Sequence, residues 1–135
     1  MEIAFTSLQG EKVDLAEMKG KVVLIDFWAT WCAPCIGELP NVRKAYEAYH
    51  EKGFEIIAIS LDKEGDKEKL ENFIKEKELP WAQCFDGLGW ETPLVRKYGV
   101  AGIPATFLVG KDGKIAATNL RGPALEAEVE KLLAH

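Results

Sequence analysis

Cys32 and Cys35, three positions apart in "DFWATWCAPC" (26–35), are the side chains of this sequence best equipped for chemistry. Two thiols at that spacing can clip a metal, staple a fold or form a redox pair. A structural zinc site wants four Cys or His ligands, usually in two paired clusters. Beyond the pair, the chain holds only Cys84, His50 and His135. The ligands are too few, and no metal is expected. A disulfide-stapled secreted mini-domain would carry more cysteines, and a chain of 135 residues does not need such staples. A redox pair fits the count best.

The surrounding elements decide how the pair is presented. "KVVLIDFWA" (21–29) and "FEIIAISL" (54–61) are near-continuous apolar runs rich in Val and Ile, as in strands covered on both faces of a parallel sheet. The segment 33–52 between them is long enough for the crossover helix that parallel strands require. In it Leu39, Val42, Ala45, Tyr46 and Tyr49 recur at helical spacing, and Gly53 ends it. Pro40 lies inside this helix and removes one backbone bond, to the Ile36 carbonyl, so a kink is expected there. A surface helix is predicted over 66–79, with Asp66 as N-cap and Pro80 after its end. "WAQCF" (81–85) reads as a short strand and 91–99 as a short helix closed by Gly99. "ATFLV" (105–109) and "KIAAT" (114–118) flank Asp112-Gly113, which favours a tight hairpin turn. Pro123 opens a last helix that buries Leu125, Val129, Leu132 and Leu133. "IAFTS" and "KVD" form a small N-terminal hairpin before a short helix at 14–19. The order predicts one α/β domain over 1–135, a mixed central sheet with helices on both faces.

In this frame the CxxC lies where the first long strand hands over to its helix, the edge where chemistry collects in open α/β sheets. Cys32 faces the unpaired amides of the helix start, so its thiol should ionise more easily than the free value of about 8.5. Cys35 lies one turn deeper, where burial opposes ionisation. Cys32 is therefore expected to be the accessible nucleophile and Cys35 the shielded resolving thiol. Their spacing keeps the Cα atoms roughly 5 to 6 Å apart, within disulfide reach. Pro34 is tolerated in a first turn and stiffens the loop. This is a dithiol built to open and close.

Several other residues have two readings. Asp26 interrupts an apolar strand, and a buried carboxylate needs a compensating reason. Glu38 shares a helix face with Cys35; spacing alone fits a solvated first-turn glutamate equally well. Pro104, on residue physics alone, is an ordinary strand-start proline. Trp31 is expected at a docking surface and Trp28 beneath the site. Trp81 and Trp90 read as local packing, and Cys84 as a small apolar core residue.

The segments "GKVVLIDFWATWCAPCIGELP" (20–40), "FEIIAISLD", "GVAGIPATFLVGKDGKI" (99–115) and "TSLQGEKVDLAEMKGK" together resemble the thioredoxin superfamily. Within it they resemble the TlpA/ResA-like thiol–disulfide oxidoreductases, and the likeness spans almost the whole chain. It implies a thioredoxin-like fold with a short N-terminal β-hairpin extension. It also implies that Cys32 attacks, Cys35 resolves, and a cis Ile103–Pro104 bond packs beside their disulfide. Trp31, Pro34, Ile103 and Pro104 would then meet the substrate. In the ResA-like branch a glutamate matching Glu38 tunes the cysteines. Thioredoxins proper have an aspartate matching Asp26, which helps move the resolving cysteine's proton, whereas the TlpA-like branch more often has asparagine. Which of Asp26 and Glu38 is the base stays open.

The implied partners are a disulfide-containing protein and an upstream dithiol electron donor, with no cofactor and a monomeric state. Nucleic acid is not expected, because the formal charge of −5 is spread without a basic stripe. No apolar run reaches the length of a membrane span. "MEIAFTSLQGEKVD" lacks the basic start and apolar stretch of a signal peptide. Family members are bacterial and usually exported or membrane-anchored, which favours the periplasm or cell envelope; the missing signal fits a cytoplasmic protein, a mature form or an excised domain. Two alternatives to the oxidoreductase are a non-catalytic redox-sensing or binding module of a larger protein, and a thiol peroxidase. Peroxidases of this fold have Thr or Ser three residues before the nucleophile and Pro seven before. Here Ala29 and Ile25 stand in those places, with Thr30 one step out of register.

Overall fold

The computed structural model describes residues 2–135, and its core is a five-stranded sheet in the order β5-β4-β3-β6-β7. β3 (Val22–Trp28) is central, and all seven of its residues are buried, which explains its unbroken apolar run. β4 (Phe54–Ser60) and β5 (Ala82–Cys84) continue the sheet in parallel on one side. β6 (Ala105–Val109) and β7 (Ile115–Thr118) add an antiparallel hairpin on the other. A separate two-stranded hairpin, β1 (Ala4–Thr6) with β2 (Lys12–Asp14), precedes the sheet. Its turn donates from Leu8 N–H to the Gln83 carbonyl at 3.0 Å, so the extension covers part of the exposed edge of β5.

Four helices flank the sheet: α1 (Ala33–Tyr49), α2 (Lys67–Glu76), α3 (Pro93–Lys97) and α4 (Pro123–Leu133). The pleat of β3 sends alternate side chains to opposite layers. Phe27 meets Tyr98 at the end of α3 and Phe107 of β6, whereas Trp28 meets Phe73 of α2 on the other face. α1 and α4 pack against each other. α1 runs through Pro40 without interruption, and a 3-10 turn at His50–Lys52 carries it to Gly53, whose φ of 108° makes the stop.

Three local expectations change. Asp66 occupies the N-cap position of α2, but its side chain makes no capping bond, because a 3-10 turn at Glu64–Asp66 already leads into the helix. The β6–β7 turn is wider than a two-residue hairpin. Gly110 N–H donates to the Lys114 carbonyl and Gly113 N–H to the Gly110 carbonyl, with Gly113 at φ 83°. That is a three-residue loop closed by a left-handed glycine, and the ladder shifts register at Leu108/Val109 to absorb it. The short helix predicted over 14–19 is a 3-10 turn, Leu15–Met18, capped by the Asp14 carboxylate.

Candidate functional site

Cys32 is the N-cap residue of α1, and its Sγ accepts the Cys35 N–H at 3.2 Å. A sulfur in that position faces the unpaired amides of the first turn, which favour negative charge. Pro34, exposed on the same turn, lacks an N–H that the helix could not have used. Cys32 and Cys35 are joined as a disulfide with Cα atoms 5.3 Å apart. One expectation fails. Cys32 is as buried as Cys35, each 5% exposed, because closing the bond sets the two sulfurs against each other. Their difference lies in the helix-start environment rather than in exposure.

The loop ahead of Cys32 is pinned from below. Asp62, fully buried just past β4, accepts from the Thr30 N–H at 3.2 Å, the Thr30 hydroxyl at 2.5 Å and the Ser60 hydroxyl at 2.6 Å. These bonds satisfy a carboxylate that would otherwise be costly inside the protein, and they fix the backbone that presents Cys32. Trp28 lies beneath the site, its indole N–H donating to the Gln83 side-chain oxygen at 3.0 Å. Sequence reasoning passed over Asp62. Its signal was an acidic residue closing the apolar run "FEIIAISLD".

Asp26 sits near the end of β3, buried opposite Ala58 and Thr106. Burial pushes its carboxyl up to about 7; the Arg121 guanidinium pulls it down and the Glu38 carboxylate adds to the rise. Glu38, one turn beyond Cys35, accepts the Gly122 N–H through Oε1 at 2.5 Å. The Arg121 guanidinium donates to the Pro104 carbonyl at 3.2 Å. Residues 121 and 122 therefore tie the catalytic helix to the loop before β6, in which the Ile103–Pro104 bond is cis. Ile103 and Pro104 are half-buried there. Arg121 was not singled out from the sequence, since an isolated arginine before a Gly-Pro helix start carries no motif.

Trp31 is 50% exposed beside Cys32. Trp90 does not pack into the structure as predicted. It is 45% exposed and its ring centroid lies 6.4 Å from that of Trp31. Trp81 is buried against Tyr46. Cys84 is a free, partly buried thiol on β5, and burial pushes it up to about 11, with Asp86 adding to the rise. It stays protonated and outside the redox pair.

The profile of the AhpC/TSA family matches residues 1–118. The thiol-disulfide oxidoreductase ResA of Bacillus thuringiensis subsp. konkukian is 38% identical over 128 residues, covering 95% of this chain and 70% of that protein. The chain belongs to the AhpC/TSA family, among its ResA/TlpA-like thiol–disulfide oxidoreductases. The ResA of Oceanobacillus iheyensis is 38% identical over 103 residues, 76% of this chain and 51% of that one. Among solved structures, the thioredoxin domain of a Bacteroides vulgatus thiol-disulfide oxidoreductase superposes with a TM-score of 0.86 at 34% identity. That match covers 98% of this chain and 94% of the other. A thiol-disulfide oxidoreductase from Bacteroides fragilis gives 0.86 at 28% identity, covering 98% and 97%. The fold is thioredoxin-like, and this oxidoreductase family takes a disulfide substrate and a reductant as partners. No helix among the described residues is long and apolar enough to cross a membrane.

Proposed function

We propose that the protein reduces disulfide bonds in other proteins, with Cys32 as nucleophile and Cys35 as resolving thiol. The observation that carries the assignment is the helix-capping position of the Cys32 sulfur, the Cys35 amide donating to it. In the reduced protein, the Cys32 thiolate attacks one sulfur of a substrate disulfide. A mixed disulfide forms and the first substrate sulfur leaves as a thiolate, which takes a proton from solvent. Cys35 then gives its proton to the carboxylate pair of Asp26 and Glu38 and attacks the Cys32 sulfur. The Cys32–Cys35 disulfide forms as the second substrate sulfur leaves as a thiolate, which takes its proton from the protonated carboxyl or from solvent. The substrate gains two electrons, and an upstream dithiol returns them to the protein.

Asp26 supports both the proton transfer and the direction of electron flow. Its carboxyl, raised to about 7, can exchange a proton near neutral pH. When ionised, it opposes a neighbouring thiolate, and disfavouring the thiolate form makes the dithiol the better reductant. In this reading Trp31, Pro34, Ile103 and Pro104 are the substrate-contacting residues, supported by the exposure of Trp31 and Pro34, and the protein acts as a monomer without a cofactor. The test is equilibration of the protein with defined thiol–disulfide buffers, together with a reduction assay on a disulfide-containing protein. A potential near the thioredoxin end of the known range, about −270 mV, with substrate reduction supports the reading. A potential near −120 mV would make the protein an oxidant instead.

A further inference from the structure

Leu88 and Trp90 stand out on the loop between β5 and α3, 49% and 45% exposed. With Trp31 they supply three of the four large hydrophobic side chains exposed among the described residues. Their loop is not slack. The Asp86 carboxylate accepts the Leu88 N–H at 3.0 Å and the Thr92 hydroxyl at 2.8 Å. Glu64 N–H donates to the Gly87 carbonyl at 3.1 Å, and Lys63 and Leu88 form an isolated antiparallel bridge. A loop built this firmly holds two apolar side chains in water, Trp90 facing the tryptophan that precedes the nucleophile at 6.4 Å between rings and Leu88 lining the same surface depression as Trp90. Scattered surface hydrophobics need no explanation, but a contiguous and anchored group beside a reactive centre marks a binding surface.

We propose that Trp31, Trp90 and Leu88 form an apolar shelf that selects substrates carrying a large hydrophobic or aromatic residue one or two positions from the attacked cysteine. This rests on the disulfide-reductase reading and names the substrate class of the same site. The occupant follows from geometry. Attack fixes the substrate cysteine at the Cys32 sulfur, and two residues of extended chain span roughly 7 Å. Trp31 directly precedes Cys32 in the chain, and the Trp90 ring lies 6.4 Å from that of Trp31, which keeps both rings near the point of attack. A flanking apolar side chain therefore reaches the shelf while its cysteine is at the thiol. Offset or tilted aromatic contacts at these rings add to the area removed from water.

The test uses two peptides that each carry one disulfide and differ only in the residue following the cysteine, Phe in one and Ser in the other. kcat/KM is measured for the parent, Trp90→Ser and Leu88→Ser, with a dithiol supplying electrons. The parent should favour the Phe peptide about tenfold, and each substitution should collapse that ratio toward one. An equal loss on both peptides with the ratio intact would mean the loop is only structural and would overturn the shelf. So would absence of preference in the parent. Concentration-dependent dimerisation of the parent that Trp90→Ser abolishes would show a second copy as the occupant and overturn it as well. Failure of the parent to reduce even a small soluble disulfide would instead refute the reductase reading on which the shelf rests.

Discussion

Asp26 brings a carboxylate into a strand whose other six residues are apolar. Burial raises it from 3.8 to about 7, so the folded protein holds its proton more tightly than the unfolded chain does. Below about pH 4 the group is protonated in both states and has no effect on stability. Between pH 4 and 7 the unfolded chain ionises first, and stability falls as pH rises; above 7 the full penalty is present. Each tenfold difference in proton affinity between the two states is worth about 1.4 kcal/mol. Asp26→Asn should therefore stabilise the fold by a few kcal/mol at pH 8 and by almost nothing at pH 4. Denaturant unfolding at the two pH values checks this; equal effects at both would mean that folding leaves the Asp26 proton affinity unchanged. The same substitution, and separately Glu38→Gln, removes a negative charge proposed to act on the thiols and should lower the pH at which they react, read as alkylation rate against pH. Unchanged profiles in both variants would take the two carboxylates off the site. Arg121→Gln acts in the opposite sense on Asp26. Without the guanidinium the Asp26 carboxyl should titrate above about 7, as followed by its NMR carboxyl resonance, and an unmoved midpoint would remove Arg121 from the site.

At the scale of elements, the loop at residues 29–31 depends on β4 as much as on its own chain. The parallel register sets Trp28 beside Ser60, so Thr30 and Asp62 emerge side by side just beyond the strand ends. Asp62→Ala leaves the buried Thr30 and Ser60 donors without an acceptor. A loss of about 2–4 kcal/mol in stability is expected, measured by chemical denaturation, and a loss below about 0.5 kcal/mol would show that the loop holds itself. This bond explains why parts of the site were hidden from sequence reading. β3, β4 and β6 were legible because their apolar runs are continuous, and α1 and α4 because their buried residues recur at helical spacing. Asp62, Arg121 and Trp90 were not, since each matters only through a partner that the sheet register or a loop path brings alongside. The helix-start role of Cys32 was legible for the opposite reason: its partner, the Cys35 amide, is three residues away.

Across the whole molecule, besides Asp62 after β4 and Trp90 in the loop before α3, the candidate site draws on four separate stretches of chain. α1 supplies the cysteines and Glu38, β3 supplies Asp26, the loop before β6 supplies Ile103 and Pro104, and the turn into α4 supplies Arg121 and Gly122. Hydrogen bonds link Glu38 to Gly122 and Arg121 to Pro104, charge links Arg121 and Glu38 to Asp26, and the likeness to known oxidoreductases runs over almost the entire chain. What burial does not provide is an asymmetry in access, since both cysteines are equally covered in the disulfide. The asymmetry must come from chemistry at the start of α1, and a trapping experiment reads it directly. Cys35→Ser and Cys32→Ser, each reduced beforehand, are incubated with a disulfide-containing protein and separated on a non-reducing gel. Cys35→Ser should accumulate a mixed disulfide through Cys32, because the thiol that resolves it is gone, while Cys32→Ser should trap almost nothing. Equal trapping by both variants, or trapping by Cys32→Ser alone, would contradict the assignment of nucleophile and resolving thiol.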